Sequence, residues 1–437
     1  MVNDGHDPRQ VRRAVAAVAL GNAIEVYDFV IFAFLAVQIG KAFFPSHDPY
    51  ASLMGSLATF AVGFVGRPIG AHWLGRRADR HGRKPTLLLS MVLMGVGLAG
   101  VALTPDYATI GVAAPLIVIA ARILQGVAMG GEIGISTSYL VEIAGDADRG
   151  RVTSLQAASQ SVAFVMTTVI GFGISAAIGP EALAAWGWRV ALGLGLVILP
   201  VAILMRQSLP ETHGPQARGF DRRARDVIAV TPAANSPLRA IVIGVILFAS
   251  GTIATYCSNY TATFAQATLH LSSTIGLGAS VAASIGGFGG SLLGGWMCDR
   301  FGRKLTLVLP FAVMLLLPVP LFGWIIAAPG WQSLAASSLM LGLFSGISGP
   351  AIYVSVAESL PQTNRAHLFS LVYAVPIAVF GGTTQLFLTW LLHVTATPLA
   401  VAWVRVVSAG IALLAISQLR ESAPHRQVGA TRIPHGA

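Results

Sequence analysis

Asn22, Glu25 and Asp28 step by three through one apolar stretch, and Arg122, Gln125, Met129 and Glu132 fall within a narrow arc of another. At helical spacing each set lines one side of its helix. Charge in such a segment is rare, because roughly 3 kcal/mol is lost for each Arg, Lys or Asp placed at the centre of a membrane helix. A guanidinium stays protonated and matches a carboxylate bidentately. Arg122 can therefore bind an anionic ligand, or it can pair with Glu25 or Asp28 and tie two helices together. It cannot reach Glu132, which lies roughly 15 Å further along the same helix. A carboxyl in low dielectric has its pKa raised toward neutrality, and a nearby arginine lowers it again. Glu25, Asp28 and Glu132 are thus candidate proton carriers. Fixed ion pairs or helix-packing hydrogen bonds are the structural alternative for each.

Two neutral sets could complete a polar site: Gln156, Ser159 and Gln160 in one later segment, and Tyr256, Asn259, Tyr260 and Thr263 in another. Their amides and hydroxyls can bind the remaining oxygens of a polyanion, or they can serve as glue between helices. Arg67 and Arg405 are further intramembrane cations, open to a cavity-lining or a snorkelling role. His72, His270, His367 and His393 are scattered and take no role. Cys257 and Cys298 share no metal-ligand spacing, so no disulfide framework, zinc site or other cofactor is expected. No His-Glu-x-x-His, Gly-x-Ser-x-Gly or phosphate-cradling Gly-Lys-Ser/Thr motif is present, which argues against an enzyme.

The elements that must position these residues are set by composition. Of 437 residues, 54% are hydrophobic and 11% charged, against about 25% charged in a soluble domain. Roughly 20 apolar residues cross a bilayer as a helix. Twelve such spans are read near 14–39, 51–75, 86–104, 109–142, 152–178, 187–207, 238–267, 272–297, 305–327, 332–357, 367–393 and 399–419. The charged start from Met1 to Arg13 and the long run behind it read as a retained first helix rather than a cleaved signal. The expected fold is all-α and polytopic, in two pseudo-symmetric six-helix bundles at 1–207 and 238–420, with a linker at 208–237 and a tail at 421–437.

The two halves repeat. Gly75, Asp79, Arg80, Gly82, Arg83 and Lys84 recur as Gly295, Asp299, Arg300, Gly302, Arg303 and Lys304, at an offset of 220. Glu142 and Arg149 recur as Glu358 and Arg365 at 216. Internal repeats in a polytopic chain are how secondary transporters are built. The net charge of +10 sits almost wholly in short connections on one side. That distribution is an orientation signal that places both termini in the cytoplasm, and it argues against nucleic acid as a partner. On that side the acid and cation repeated in each half, Glu142 with Arg149 and Glu358 with Arg365, are expected to form ion-pair latches.

The Gly-x-x-x-Asp-Arg-x-Gly-Arg-Lys segment and Arg122-Ile-Leu-Gln-Gly126-Val-Ala-Met-Gly130 resemble the major facilitator superfamily. Gly21-Asn22-Ala-Ile-Glu25-Val-Tyr27-Asp28-Phe29, Phe43-Phe44-Pro45 and Gly63-Phe64-Val-Gly-Arg67-Pro68-Ile-Gly70 narrow the likeness to metabolite:proton symporters. Thr153-Ser154-Leu-Gln156-Ala-Ala-Ser159-Gln160 and Trp186-Gly187-Trp188-Arg189 resemble the citrate (tricarballylate-type) members. The chain departs from them at Tyr260-Thr-Ala-Thr-Phe264.

The resemblance implies a monomeric secondary transporter of a bacterial inner membrane that imports citrate or a related carboxylate with protons. Other substrates of the family, 2-oxoglutarate, shikimate or a zwitterionic osmolyte, are the alternatives, and a non-transporting receptor is a remote one. First and fourth helices face a central cavity in this fold, so Asn22, Arg122, Gln125, Gln156, Gln160, Tyr256 and Tyr260 become candidate substrate ligands. By the same resemblance Asp79, Arg80, Arg83, Asp299, Arg300 and Arg303 gate together with Glu142, Arg149, Glu358 and Arg365. Asp79 and Asp299 then contact neighbouring helix ends in one conformation.

Overall fold

In a bilayer the backbone must satisfy its own hydrogen bonds, and an apolar segment of twenty or more residues does so as a helix. The computed structural model describes residues 8–47, 49–145, 147–207, 237–419 and 421, and among them every regular element is helical. The spans are α1 (Pro8–Phe34, continued by Ala36–Phe43), α2 (Pro49–His81), α3 (Arg83–Leu103), α4 (Ala113–Ile143), α5 (Arg149–Ala182) and α6 (Trp188–Gln207). The second set is α7 (Pro237–Ala267), α8 (Ser273–Phe301), α9 (Arg303–Leu316, continued by Pro318–Ala327), α10 (Trp331–Ser359), α11 (Arg365–Thr395) and α12 (Ala400–Ser417). Ten stretches are long and apolar enough over the described residues to cross a membrane. The 33-residue α2 and 34-residue α5 complete the twelve by length.

Outward-facing side chains carry the same message. Leu103, Leu316, Leu386 and Leu414 are each more than 70% exposed, a surface suited to lipid rather than water. Inside, Ile31, Phe32, Phe43 and Trp188 fill the first bundle, and Leu247, Phe264, Phe322 and Phe369 the second.

Glycine sets how closely the helices approach. A Cβ on Gly70 would lie 1.8 Å from the Val127 carbonyl oxygen, and one on Gly130 1.9 Å from that of Arg67, so α2 and α4 touch backbone to backbone. The same contact recurs between α8 and α10, where a Cβ on Gly290 would lie 2.1 Å from the Leu343 oxygen. Gly70 and Gly290 are 220 apart, and Gly130 and Gly346 are 216 apart, the two offsets of the charged repeat. The seam between bundles is made by α2 against α11 and α5 against α8, with α4 on α11 and α5 on α10 beside them.

The repeated cationic segments are not loops, as the sequence reading has them. Helix α2 runs on to His81 and α3 starts at Arg83, with Gly82 between them at φ +106°. Gly302 does the same between α8 and α9 at φ +93°. Only glycine takes that backbone region without strain. The charges therefore ride on helix ends, which extend past the apolar run because long arginine stems reach polar surroundings. Towards the end of α5 the helix breaks at Gly179, φ +76°, and a π turn at Leu183–Gly187 then leads into α6. Apart from Pro237 and Glu421, the expected linker at 208–237 and tail at 421–437 lie outside the described residues.

Candidate functional site

Helix α1 meets α4 and α5 at the centre of the first bundle. There Arg122 Nη1 donates to Asp28 Oδ2 at 2.8 Å and to Gln125 Oε1 at 2.6 Å. Gln125 Nε2 donates to Asp28 Oδ1 at 2.9 Å, which closes a three-membered ring of bonds. The Arg122 guanidinium also lies 4.3 Å above the Phe32 ring. Asp28 is wholly buried and Arg122 is 3% exposed. Of the two roles open to Arg122, the geometry shows the internal pair.

A second network ties α1 to α4 and α5. Asn22 Nδ2 donates to the Gln156 carbonyl at 3.0 Å, while the Gln156 amide donates to Ser136 Oγ at 3.0 Å and accepts from Thr137 at 3.2 Å. Glu132 takes a different neighbour. Its Oε2 accepts from Ser90 Oγ at 2.6 Å. Glu25 and Glu132 line one small cavity of about 20 Å³ together with Ser90 and three methionines. Glu25 also lies within electrostatic range of Tyr353 and Tyr373 on the second bundle.

Those tyrosines belong to a cavity of about 250 Å³ lined from both bundles. Its polar lining includes Arg67 and Gln160 from the first bundle and Tyr256, Ser250, Ser348 and Arg405 from the second. Arg67 donates to Met129 Sδ at 3.8 Å and sits 4.9 Å above the Phe64 ring, whose edge meets Tyr256. Arg405 donates from Nη2 to Ser258 Oγ at 2.8 Å. Of the candidate substrate ligands, Gln160 and Tyr256 line this cavity. Asn22, Arg122, Gln125, Gln156 and Tyr260 lie outside its lining, and Tyr260 accepts from Thr389 at 3.2 Å. Each of these five side chains is instead bonded to a neighbouring helix. The walls are completed by Arg67 and Arg405, which on sequence alone are open to a cavity-lining or a snorkelling role. Their sequence signal is the cation itself, since a charge within a membrane span marks a functional site by default.

At the cation-rich end the two bundles are bolted together. Asp79 accepts from the amides of Ala366 at 3.2 Å and His367 at 2.9 Å, at the start of α11. Asp299 accepts from those of Gly150 at 2.7 Å and Arg151 at 2.9 Å, at the start of α5. A carboxylate at a helix N-terminus answers both the free amides and the helix dipole.

Ion pairs lie beneath these caps. Arg83 binds Asp79 and, at 2.9 Å, Glu142. Arg303 binds Glu358 at 3.1 Å, and Arg149 reaches the same Glu358 oxygen from the other bundle at 3.1 Å. Arg149 thus starts α5 rather than ending the fourth span, and its latch crosses the seam. Arg365 is buried within electrostatic range of Glu142 and Glu358. Arg80 and Arg300 are exposed, and the ion pairs at this end run through Arg83 and Arg303. His72 and His367, scattered in sequence, meet edge to face across the seam with centroids 5.0 Å apart.

Two six-helix bundles with a shared cavity, closed at one end by caps and latches, define a multi-pass membrane protein of the facilitator class. The family model described as Major Facilitator Superfamily matches residues 18–375 and 253–433. The chain belongs to that superfamily. It is 35% identical over 407 residues to a citrate-proton symporter of Salmonella typhi, covering 93% of each. It is also 29% identical over 391 residues to an alpha-ketoglutarate permease of Escherichia coli, covering 87% of each. Among solved structures it resembles the proton:xylose symporter XylE bound to 6-bromo-6-deoxy-D-glucose. That match has a TM-score of 0.80 at 17% identity and covers 95% of this chain and 97% of that one.

Proposed function

We propose that this protein imports citrate or a related tri- or dicarboxylate by proton symport through alternating access. The observation that carries the reading is the cavity at the seam, which presents guanidinium groups from both bundles and has a buried acid, Glu25, beside it. A cavity of this volume approaches the lower end of small-ligand pockets, roughly 300 Å³. The named relatives add citrate and alpha-ketoglutarate, both carboxylates, to that chemistry. The cation-rich end is the cytoplasmic side by the positive-inside rule, with both termini there and the bacterial inner membrane as the setting. In that orientation the bolts of Asp79, Asp299 and Glu358 close the inner gate. The bundles, 1–207 and 238–420, rock about the cavity, and each chain carries a complete cavity, which supports a working monomer.

Charge balance supplies the coupling. Cations in a low-dielectric cavity need counter-charge. Without substrate, an ionised Glu25 supplies part of it across the tyrosine-lined wall. An arriving carboxylate takes over that duty, and a like charge nearby then favours the protonated form of Glu25. Glu132, hydrogen-bonded to Ser90 in the same small cavity, offers the next carboxyl along the proton's route. Asp28 is held by Arg122 and Gln125 and contributes the fixed frame on which Glu25 is carried. Substrate and proton thus load together and leave together once the inner gate opens.

The test is uptake of labelled citrate into proteoliposomes under an imposed inward proton gradient, with unlabelled competitors and a protonophore. Uptake that collapses with the protonophore and yields to tricarboxylates is the expected result. Gradient-driven uptake of 2-oxoglutarate, shikimate or betaine without citrate uptake would replace the substrate. Binding without uptake of any of them would turn the reading toward a receptor.

A further inference from the structure

Of the interior arginines, two line the cavity without an ion pair among the described residues, while Arg365 lies buried at the cation-rich end within electrostatic range of Glu142 and Glu358. Arg83, Arg122, Arg149 and Arg303 each meet a carboxylate within 3.1 Å. Arg67 and Arg405 meet none among the described residues. Arg67 has a thioether and a phenyl ring for company. Arg405 is 2% exposed, and its Nε and Nη1 have no hydrogen-bond partner. Both line one cavity, from α2 in the first bundle and from α12 in the second. A buried guanidinium with donors unspent is costly to maintain, and a ligand that satisfies it recovers that cost.

We infer that Arg67 and Arg405 form a two-jawed clamp that selects the cargo by charge, taking one carboxylate in each fork, so that the species carried is a dianion. A dicarboxylate qualifies directly. A tricarboxylate enters with its third carboxyl protonated, and that group meets neutral hydroxyls such as Ser250, Ser348 and Tyr256 rather than a third cation. A third negative charge would find no counter-charge in this cavity and would face the Glu25 side. A monocarboxylate would satisfy one jaw and leave the other unpaired. A zwitterion would bring its own cation against the second guanidinium.

The clamp also serves transport. Since its jaws belong to opposite bundles, only a cargo held by both ties the two bundles together at the midplane. A neutralised cavity crosses the hydrocarbon region at far lower cost than a doubly charged one.

This inference rests on the carboxylate-symport reading, and the experiment separates the two. Purified protein in proteoliposomes is assayed with citrate against a competitor series: a tricarboxylate, a four- or five-carbon dicarboxylate, the matching monocarboxylate, and betaine. The wild type is expected to be inhibited by the first two and untouched by the last two. Arg405→Gln should raise the citrate KM by about 10- to 100-fold, the range for losing a charge-assisted hydrogen bond. Arg405→Lys keeps the charge without the fork and should recover part of that loss, with kcat changed little.

If Arg405→Gln does not fold, Arg405→Lys and Arg67→Lys give the same reading, because each should raise KM before it lowers kcat. An unchanged citrate KM in the Arg405 variants, or inhibition of the wild type by the monocarboxylate, overturns the clamp while leaving citrate symport standing. A wild type that carries betaine and no carboxylate removes both.

Discussion

Arg83 with Glu142 and Arg303 with Glu358 are the same device built twice, whereas the midplane of the two bundles is not repeated at all. At the cation-rich end both halves keep an aspartate that caps a helix of the opposite bundle, a glycine at positive φ, and an arginine locked onto a glutamate. At the midplane the first half holds Asn22, Glu25, Asp28, Arg122 and Glu132. The second brings hydroxyls, aromatic rings and Arg405. Two bundles that close against each other need matching parts on both faces. A bound molecule and a proton have no such symmetry, so the interior is free to divide labour. In the mechanism proposed above the first half carries the proton, and the two halves share the substrate through Arg67 and Arg405.

The largest expected effect is at the fixed pair. Arg122→Ala leaves Asp28 buried without its partner and should destabilise the protein by about 3–5 kcal/mol, read as loss of a monodisperse, heat-stable species in detergent. Replacing both with leucine should restore much of that stability without restoring uptake. A single mutant as stable as the wild type would mean that this pair is not the frame of the first half.

Next comes Glu25→Gln, which should bring gradient-driven uptake near background while leaving substrate exchange across the membrane intact. Loss of exchange as well would move Glu25 from the proton to the substrate side of the comparison.

A smaller effect separates the two latches. Glu358 joins α9 of its own bundle to α5 of the other by ion pairs at 3.1 Å, while Glu142 faces the second bundle's Arg365 only within electrostatic range. Glu358→Gln should shift the population toward the inward-open state by about tenfold, equivalent to about 1.4 kcal/mol. Glu142→Gln should do so less. Spin labels at Arg80→Cys and Asn364→Cys would read the opening, and equal shifts would make the latches as symmetric in energy as in sequence.

The smallest lies far from both regions. The Thr109 hydroxyl and amide donate to Asp106 in the connection before α4 and hold its carboxyl below the ordinary value. A lowered folded pKa contributes stability above the ordinary carboxylate range, and that contribution is lost as pH falls through the folded value. Thr109→Val should let Asp106 titrate at higher pH and slightly weaken the acid side of the stability profile. Uptake at neutral pH should not change.

The interlocked cation-rich end was legible because it repeats. Asp79 and Asp299, Arg83 and Arg303, and Glu142 and Glu358 stand at constant offsets, and a constant offset survives any uncertainty about where helices end. The close-packing glycines share those offsets and strengthen the same inference. The interior was legible only in part. Glu25, Asp28, Arg122 and Glu132 are visible as charges in apolar runs, but a run does not say which charge meets which. Arg122 finds Asp28 across 94 residues of chain, a contact that spacing along the sequence left open beside a ligand-binding role.

Composition, the twelve apolar runs, the duplicated cationic signature and its one-sided charge were enough to determine an all-helical membrane protein in two related halves. Local physics suffices there, since lipid forces helix formation and cations gathered at one side bias orientation. Which arginines keep their charge unspent is decided only in the folded molecule. Whether a buried cation is paired depends on carboxylates that other helices bring to within about 3 Å, a distance no spacing along the chain encodes. The tertiary structure spends Arg122, Arg83, Arg149 and Arg303 on the protein itself and leaves Arg67 and Arg405 facing the cavity.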